Sequence, residues 1–115
     1  MQRGDIFFAP FPYTDLAHTK PRPVCIVSDS GFNTGIDVVV AMITSKSSRR
    51  TNPGVGDFAV VDWQPARLLT ASAIRAGRLW TSEKRLLGAR LGTLSENDIA
   101  RLDQALAEVL GLTAS

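Results

Sequence analysis

The sequence has 115 residues, 44% of them hydrophobic, with thirteen Lys or Arg against eleven Asp or Glu and a net charge of +2. That length points to one domain over residues 1–115, with a modest core and no need of cross-links. A lone cysteine, Cys25, excludes an intrachain disulfide and a cysteine-rich metal site, and no apolar run approaches the ~20 residues of a bilayer span.

In chain order, "MQRGD" lacks the apolar core of a signal peptide, so a reduced, cytoplasmic setting away from membranes is expected. "DIFFAP" reads as a first strand, and "FPYTDLAHTKP" as a turn-rich loop. "PVCIVSD" reads as a second strand, with Cys25 a buried, inert thiol. After the turn "SGFNTGID", "VVVAMITS" is a third strand rich in β-branched residues. "KSSRRTNPGVG" reads as a long polar loop and "DFAVVDW" as another strand. "ASAIRAGRLW" suggests one or two short strands broken near Gly77. Trp63 and Trp80 read as core or interface residues. Short strands separated by turns argue for a small barrel.

The period then changes. Ser95 is an N-cap with Asp98 three residues on, and Ile99, Leu102, Leu106, Val109 and Leu110 recur at helical spacing before Gly111. The apolar stripe should pack on the barrel and leave an acidic face in water. Charge is uneven along the chain. Residues 1–94 carry +5 and residues 95–115 carry −3. A basic body suits a polyanion such as RNA.

Zinc-protease, EF-hand, P-loop and nucleophile-elbow motifs are absent, and one histidine, His18, cannot build a histidine-rich metal site. No metal or cofactor is expected. An enzyme of this composition would rest on Arg, Thr, Ser or His. Arg22 stands between Pro21 and Pro23, which restrict its backbone. It is either a solvated arginine on a rigid loop or a guanidinium fork held toward an anion. Thr44 and Ser45 close the third strand, and "TASAIRAGR" supplies Ser72, Arg75 and Arg78. Such hydroxyls and guanidinium groups suit phosphate oxygens.

"RGDIFFAPFPYTDLAHTKPRPVCIVSD", "VVVAMITS", "SAIRAGRLW" and "GTLSENDIARLDQALAEVLGL" resemble, in order, segments of the MazF/PemK family, and the "PFPYTDL" version resembles its PemK-like branch. The resemblance implies an α+β fold that is mainly β, a small SH3-like barrel of the CcdB/MazF type with a C-terminal helix. It also implies a homodimer and the toxin of a type II toxin–antitoxin system, with a cognate acidic antitoxin. The implied activity is metal-independent, sequence-specific cleavage of single-stranded RNA or mRNA. The ribose 2′-OH would attack the adjacent phosphate to leave a 2′,3′-cyclic phosphate and a 5′-OH. Arg22 matches the arginine of the family's RP motif and Thr44 its strand-end threonine, the implied catalytic pair, with Ser45 beside them. Some relatives use a histidine in the loop before RP, where His18 lies. Lys20, Ser72, Arg75 and Arg78 are the candidate RNA contacts. Some relatives also place an acidic residue where this chain has Gly77, so a carboxylate base is missing there.

Two alternatives belong to other classes. CcdB-like gyrase poisons resemble this fold but rely on a tryptophan near the extreme C-terminus, whereas this chain ends "LGLTAS". A non-catalytic RNA-binding barrel would keep Arg22 and Arg75 without needing Thr44, and would use aromatic platforms such as Tyr13 or Phe32.

Overall fold

The computed structural model describes residues 1–10 and 21–112. Six antiparallel strands form one curled sheet, a half-barrel, in the order β4-β5-β3-β2-β1-β6. The strands are β1 (Asp5–Pro10), β2 (Pro21–Ile26), β3 (Asp37–Thr44), β4 (Asp57–Ala59), β5 (Ala73–Glu83) and β6 (Arg90–Thr93). A short helix, α1 (Ser47–Thr51), follows β3, and α2 (Glu96–Leu110) closes the described chain.

The central strands carry apolar residues on both faces. Val24, Cys25 and Ile26 of β2 are all completely buried, so this stretch is a continuous apolar run rather than an alternating one. One face contributes Ile6, Cys25, Ala41, Ile43 and Ile74 to a core shared with Leu102 and Ala105 of α2. The other gathers Phe7, Val24, Ile26, Val38 and Val40, with Trp80 packed against them. Trp63 packs against the first core.

The opening Arg3-Gly4-Asp5 is structural. Arg3 Nε donates to the Val27 carbonyl at 3.0 Å, and its guanidinium pairs with Asp103 of α2. Gly4 adopts φ +91°, a left-handed angle, and lies between the Ile26 carbonyl, which accepts its N–H at 2.8 Å, and the Leu94 N–H, which donates to its carbonyl at 2.9 Å. Asp5 accepts from the Gln2 N–H at 3.0 Å and from Arg90 Nη2 at 3.4 Å. The motif fastens β1 to β2, β6 and α2.

Five elements differ from the sequence reading. β2 starts two residues early, at Pro21, because β1 pairs with it through Pro10↔Pro21. The expected polar loop after β3 contains α1, a helix too short to stand on propensity alone. β4 ends at Ala59, and the following residues turn instead of extending to Trp63. β5 is one strand of 11 residues. Its register against β3 jumps from Met42↔Arg75 to Ala41↔Leu79, so Ala76, Gly77 and Arg78 bulge without ending the strand. β6 had no strong alternation to announce it; it forms by pairing with β1.

Helix α2 has the anticipated ends. The Ser95 side chain accepts from the Asp98 N–H, and Gly111 takes the left-handed C-cap angle. Its acidic face is not wholly in water, however. Asp98 is completely buried, where it accepts the backbone N–H groups of Val61 at 3.0 Å and Asp62 at 2.9 Å.

Candidate RNA-binding site

The prolines around Arg22 set the site's geometry. β2 and β3 pair only through Val24↔Met42, Cys25↔Ala41 and Ile26↔Val40. The next position is Pro23, which has no N–H to donate. The same register places Arg22 opposite Thr44, just beyond the last pair. Arg22 stays in place because β1 still holds it, through Ala9↔Arg22. The sheet thus parts between these two residues.

A concavity of about 550 Å³ occupies the opening, lined by Arg22, Met42, Thr44, Ser45, Lys46, Arg49, Arg75 and Arg78. Five of these eight are cations, and no carboxylate is among its described lining residues. Arg22 comes from β2, Thr44 from the end of β3 and Arg75 from β5, opposite Met42. Arg78 lies in the β5 bulge, and α1 brings in Arg49. Thr44 Oγ1 accepts the Lys46 N–H at 3.2 Å. That contact uses a lone pair and leaves the hydroxyl proton to donate elsewhere.

A second, smaller cleft of about 160 Å³ shares Arg22 and Ser45 with the first and is lined by Phe8, Pro23, Leu68, Leu91 and Ser72, among others. Ser72 belongs here and not to the basic concavity. It is buried, and its hydroxyl donates to the Thr70 carbonyl at 2.9 Å. Of the candidate residues, Arg22, Thr44, Ser45, Arg75 and Arg78 converge. His18 and Lys20 lie outside the described residues.

Sequence reasoning missed three lining residues, Lys46, Arg49 and Met42, and the carboxylate of Asp57. Asp57 Oδ1 accepts from Arg75 Nε at 3.2 Å, although 18 residues separate the two. The basic run "KSSRR" was the available signal for Lys46 and Arg49. No group of three or more His, Cys, Asp or Glu among the described residues is arranged to hold a metal ion.

The chain matches the family of PemK-like, MazF-like toxins of type II toxin–antitoxin systems over residues 2–110. It belongs to that family. The toxin is 32% identical over 114 residues to the probable endoribonuclease MazF of Mycolicibacterium smegmatis, a match covering 97% of this chain and 98% of that protein. Its fold is similar to that of a mycobacterial endoribonuclease solved in complex with its cognate antitoxin. The TM-score is 0.78 and the identity 27%, over 100% of this chain and 99% of the other. A MazE–MazF structure from Deinococcus radiodurans shares the fold at TM-score 0.69 and 18% identity, covering 97% of this chain and 96% of that one. Among the described residues no helix is long and apolar enough to cross a membrane.

Proposed function

We propose that the basic concavity is where this toxin binds and cuts single-stranded RNA. By homology the chain is an endoribonuclease. The observation that carries the finer reading is the convergence of Arg22, Thr44, Ser45, Arg75 and Arg78 on one opening. Cations and hydroxyl groups gathered with no carboxylate among the described lining residues suit a chain of phosphates.

In this reading the ribose 2′-oxygen attacks the adjacent phosphorus. The O2′–P bond forms and the P–O5′ bond breaks, leaving a 2′,3′-cyclic phosphate and a 5′-hydroxyl. Negative charge grows on the phosphoryl oxygens, and a guanidinium fixed in advance stabilises it. Arg22 takes that role. Thr44 and Ser45 donate hydroxyl hydrogen bonds to the same phosphate, and Arg75 and Arg78, with Lys20, hold its neighbours. Ser72, its hydroxyl committed to Thr70, shapes the adjoining wall. The 2′-OH must lose a proton and the 5′-oxygen must gain one. His18 is the candidate base, since an imidazole titrates near neutral pH, and solvent supplies the second proton. Fixed guanidinium groups meet the developing charge, so the reaction should need no metal.

The same reading makes residues 1–115 one domain, acting as a homodimer in the cytoplasm. An acidic antitoxin segment would lie over the cations and compete with RNA. The test is a defined single-stranded RNA incubated with purified protein in excess EDTA, with fragment ends identified by mass spectrometry. Cyclic-phosphate and 5′-hydroxyl ends are expected. Cleavage only with added divalent metal, or ends bearing 5′-phosphate, would overturn the mechanism.

A further inference from the structure

One buried carboxylate stands behind the basic concavity and takes no part in the mechanism above. Asp57 opens β4, and its register partner on β5 is Arg75. Directly opposed residues of an antiparallel pair share a face, and here Asp57 Oδ1 accepts from Arg75 Nε at 3.2 Å. The other oxygen, Oδ2, accepts the Gly54 N–H at 3.1 Å and stands 3.6 Å from Arg49 Nη1. The Asp57 side chain is 4% exposed, against 19% for Arg75 and 39% for Arg49. Both arginines line the concavity and Asp57 does not.

We propose that Asp57 is a positioning residue for RNA cleavage, clamping Arg75 and tethering Arg49 so that both guanidinium groups are set before RNA arrives. The proposal rests on the RNA-cleaving reading of the concavity. A guanidinium has five N–H donors in a rigid fork. The Asp57 contact is at Nε and leaves the two Nη nitrogens for a phosphate. An arginine held in this way is already oriented for the reacting phosphate, where one that sweeps through solvent must find its place once RNA is bound. The same carboxylate joins Gly54, at the end of the segment that carries α1, to β4. One group therefore sets the α1 wall and the β5 wall together.

Asp57 is not a base. Both of its oxygens are engaged and it lies outside the lining. Its charge also works against ground-state attraction, because a negative group beneath the cations weakens their pull on phosphate. Removing that charge should leave RNA binding intact or tighter while slowing the reaction. A residue that merely supported the fold would weaken both.

The test compares the wild type with Asp57→Asn, Asp57→Glu, Arg75→Ala and the Asp57→Asn/Arg75→Ala double variant. Single-turnover cleavage is measured on a defined RNA, and Kd on the same RNA with 2′-deoxyribose at the cleavage position. Asp57→Asn should cut roughly ten- to a hundredfold more slowly, the upper figure being the cost of about 1 Å of misplacement, with Kd unchanged or lower. Asp57→Glu should recover part of the rate. In the Arg75→Ala background, Asp57→Asn should cost clearly less than in the wild type, with only the Arg49 tether left to lose. A wild-type rate for Asp57→Asn, or an equal loss with and without Arg75, overturns the proposal. If Asp57→Asn fails to fold, the wild type still decides the clamp by NMR. The Arg75 Nε–H should exchange slowly, and exchange as fast as that of an exposed guanidinium overturns it. A wild-type protein that cuts no RNA refutes the cleavage reading, and the Nε–H measurement then judges the clamp separately.

Discussion

Arg22 and Thr44 lie level in the β2–β3 register, two positions beyond the point where the ladder stops. Val24↔Met42 is the last pair, and Arg22 and Thr44 line the concavity beyond it. Arg22→Ala should lower the cleavage rate by ~10²-fold or more, as for losing one fixed donor to the transition state. Arg22→Lys should restore little, because an ammonium lacks the two-pronged fork. Thr44→Ala should cost less, since Ser45 lines the same opening. Single-turnover kinetics on variants with unchanged melting temperature is the check. Wild-type cleavage by Arg22→Ala would remove Arg22 from the cleavage machinery.

Asp98 joins the start of α2 to the turn after β4 by accepting from two backbone N–H groups, those of Val61 and Asp62. Asp98→Ala leaves both without their carboxylate partner. A cost of about 2–4 kcal/mol is expected, the lower part of ~1–3 kcal/mol for each of two unsatisfied donors, because both contacts are only part-buried. Asp98→Asn should recover only part, because its NH₂ would meet one of the two N–H groups. Urea unfolding measures this, and an unchanged midpoint for Asp98→Ala would refute it.

Two strand glycines should respond in opposite ways to alanine. A Cβ at Gly92 would stand 2.2 Å from the Ala66 carbonyl oxygen, a backbone atom that cannot swing away. Gly92→Ala should therefore cost at least ~2 kcal/mol, as overpacking does. A Cβ at Gly77 meets nothing within 4 Å. Gly77→Ala should be neutral or slightly stabilising, within about 0.5 kcal/mol, since it reduces the unfolded chain's freedom. Melting curves of the two variants decide, and equal losses would contradict the strand packing.

Burial pushes the Cys25 thiol from its ordinary 9.0 up to about 12; the Asp5 charge also raises it, against the pull of Arg3. The unfolded chain gives up this proton near pH 9 and the folded chain keeps it to about pH 12. Between those values the unfolded state binds fewer protons, so stability falls as pH rises. The slope from this group is ~1.4 kcal/mol per pH unit. Its stabilising contribution is complete below pH 9 and is lost above it. Urea unfolding of wild type and Cys25→Ala from pH 8 to 11 should show a stability gap that is constant below 9 and shifts against the wild type above. A gap independent of pH would contradict the burial.

What the sequence by itself determined was local. "DIFFAP" and "VVVAMITS" became strands because β-branched and aromatic residues specify extended backbone without a partner being named. Helix α2 was legible because Ser95 and Gly111 cap it within a few residues of its own turns. Arg22 stood out because its stiffness comes from its two immediate neighbours. The RP and ITS motifs and the arginines after them were legible as a set, and the fold brought Arg22, Thr44, Arg75 and Arg78 to one opening. Tertiary structure decided the rest. α1 is too short to announce itself, and β6 depends on β1. Asp98 reads as an exposed helix acid until the turn at Val61, 37 residues away, places two N–H groups on it. Asp57 is only the first residue of the expected strand "DFAVVDW" until β5 lays Arg75 beside it. Whether a carboxylate is solvated, buried or clamped to an arginine depends on which groups the fold brings within hydrogen-bonding reach. For these two residues the partners come from distant segments, through strand register and helix docking, and no local pattern encodes them.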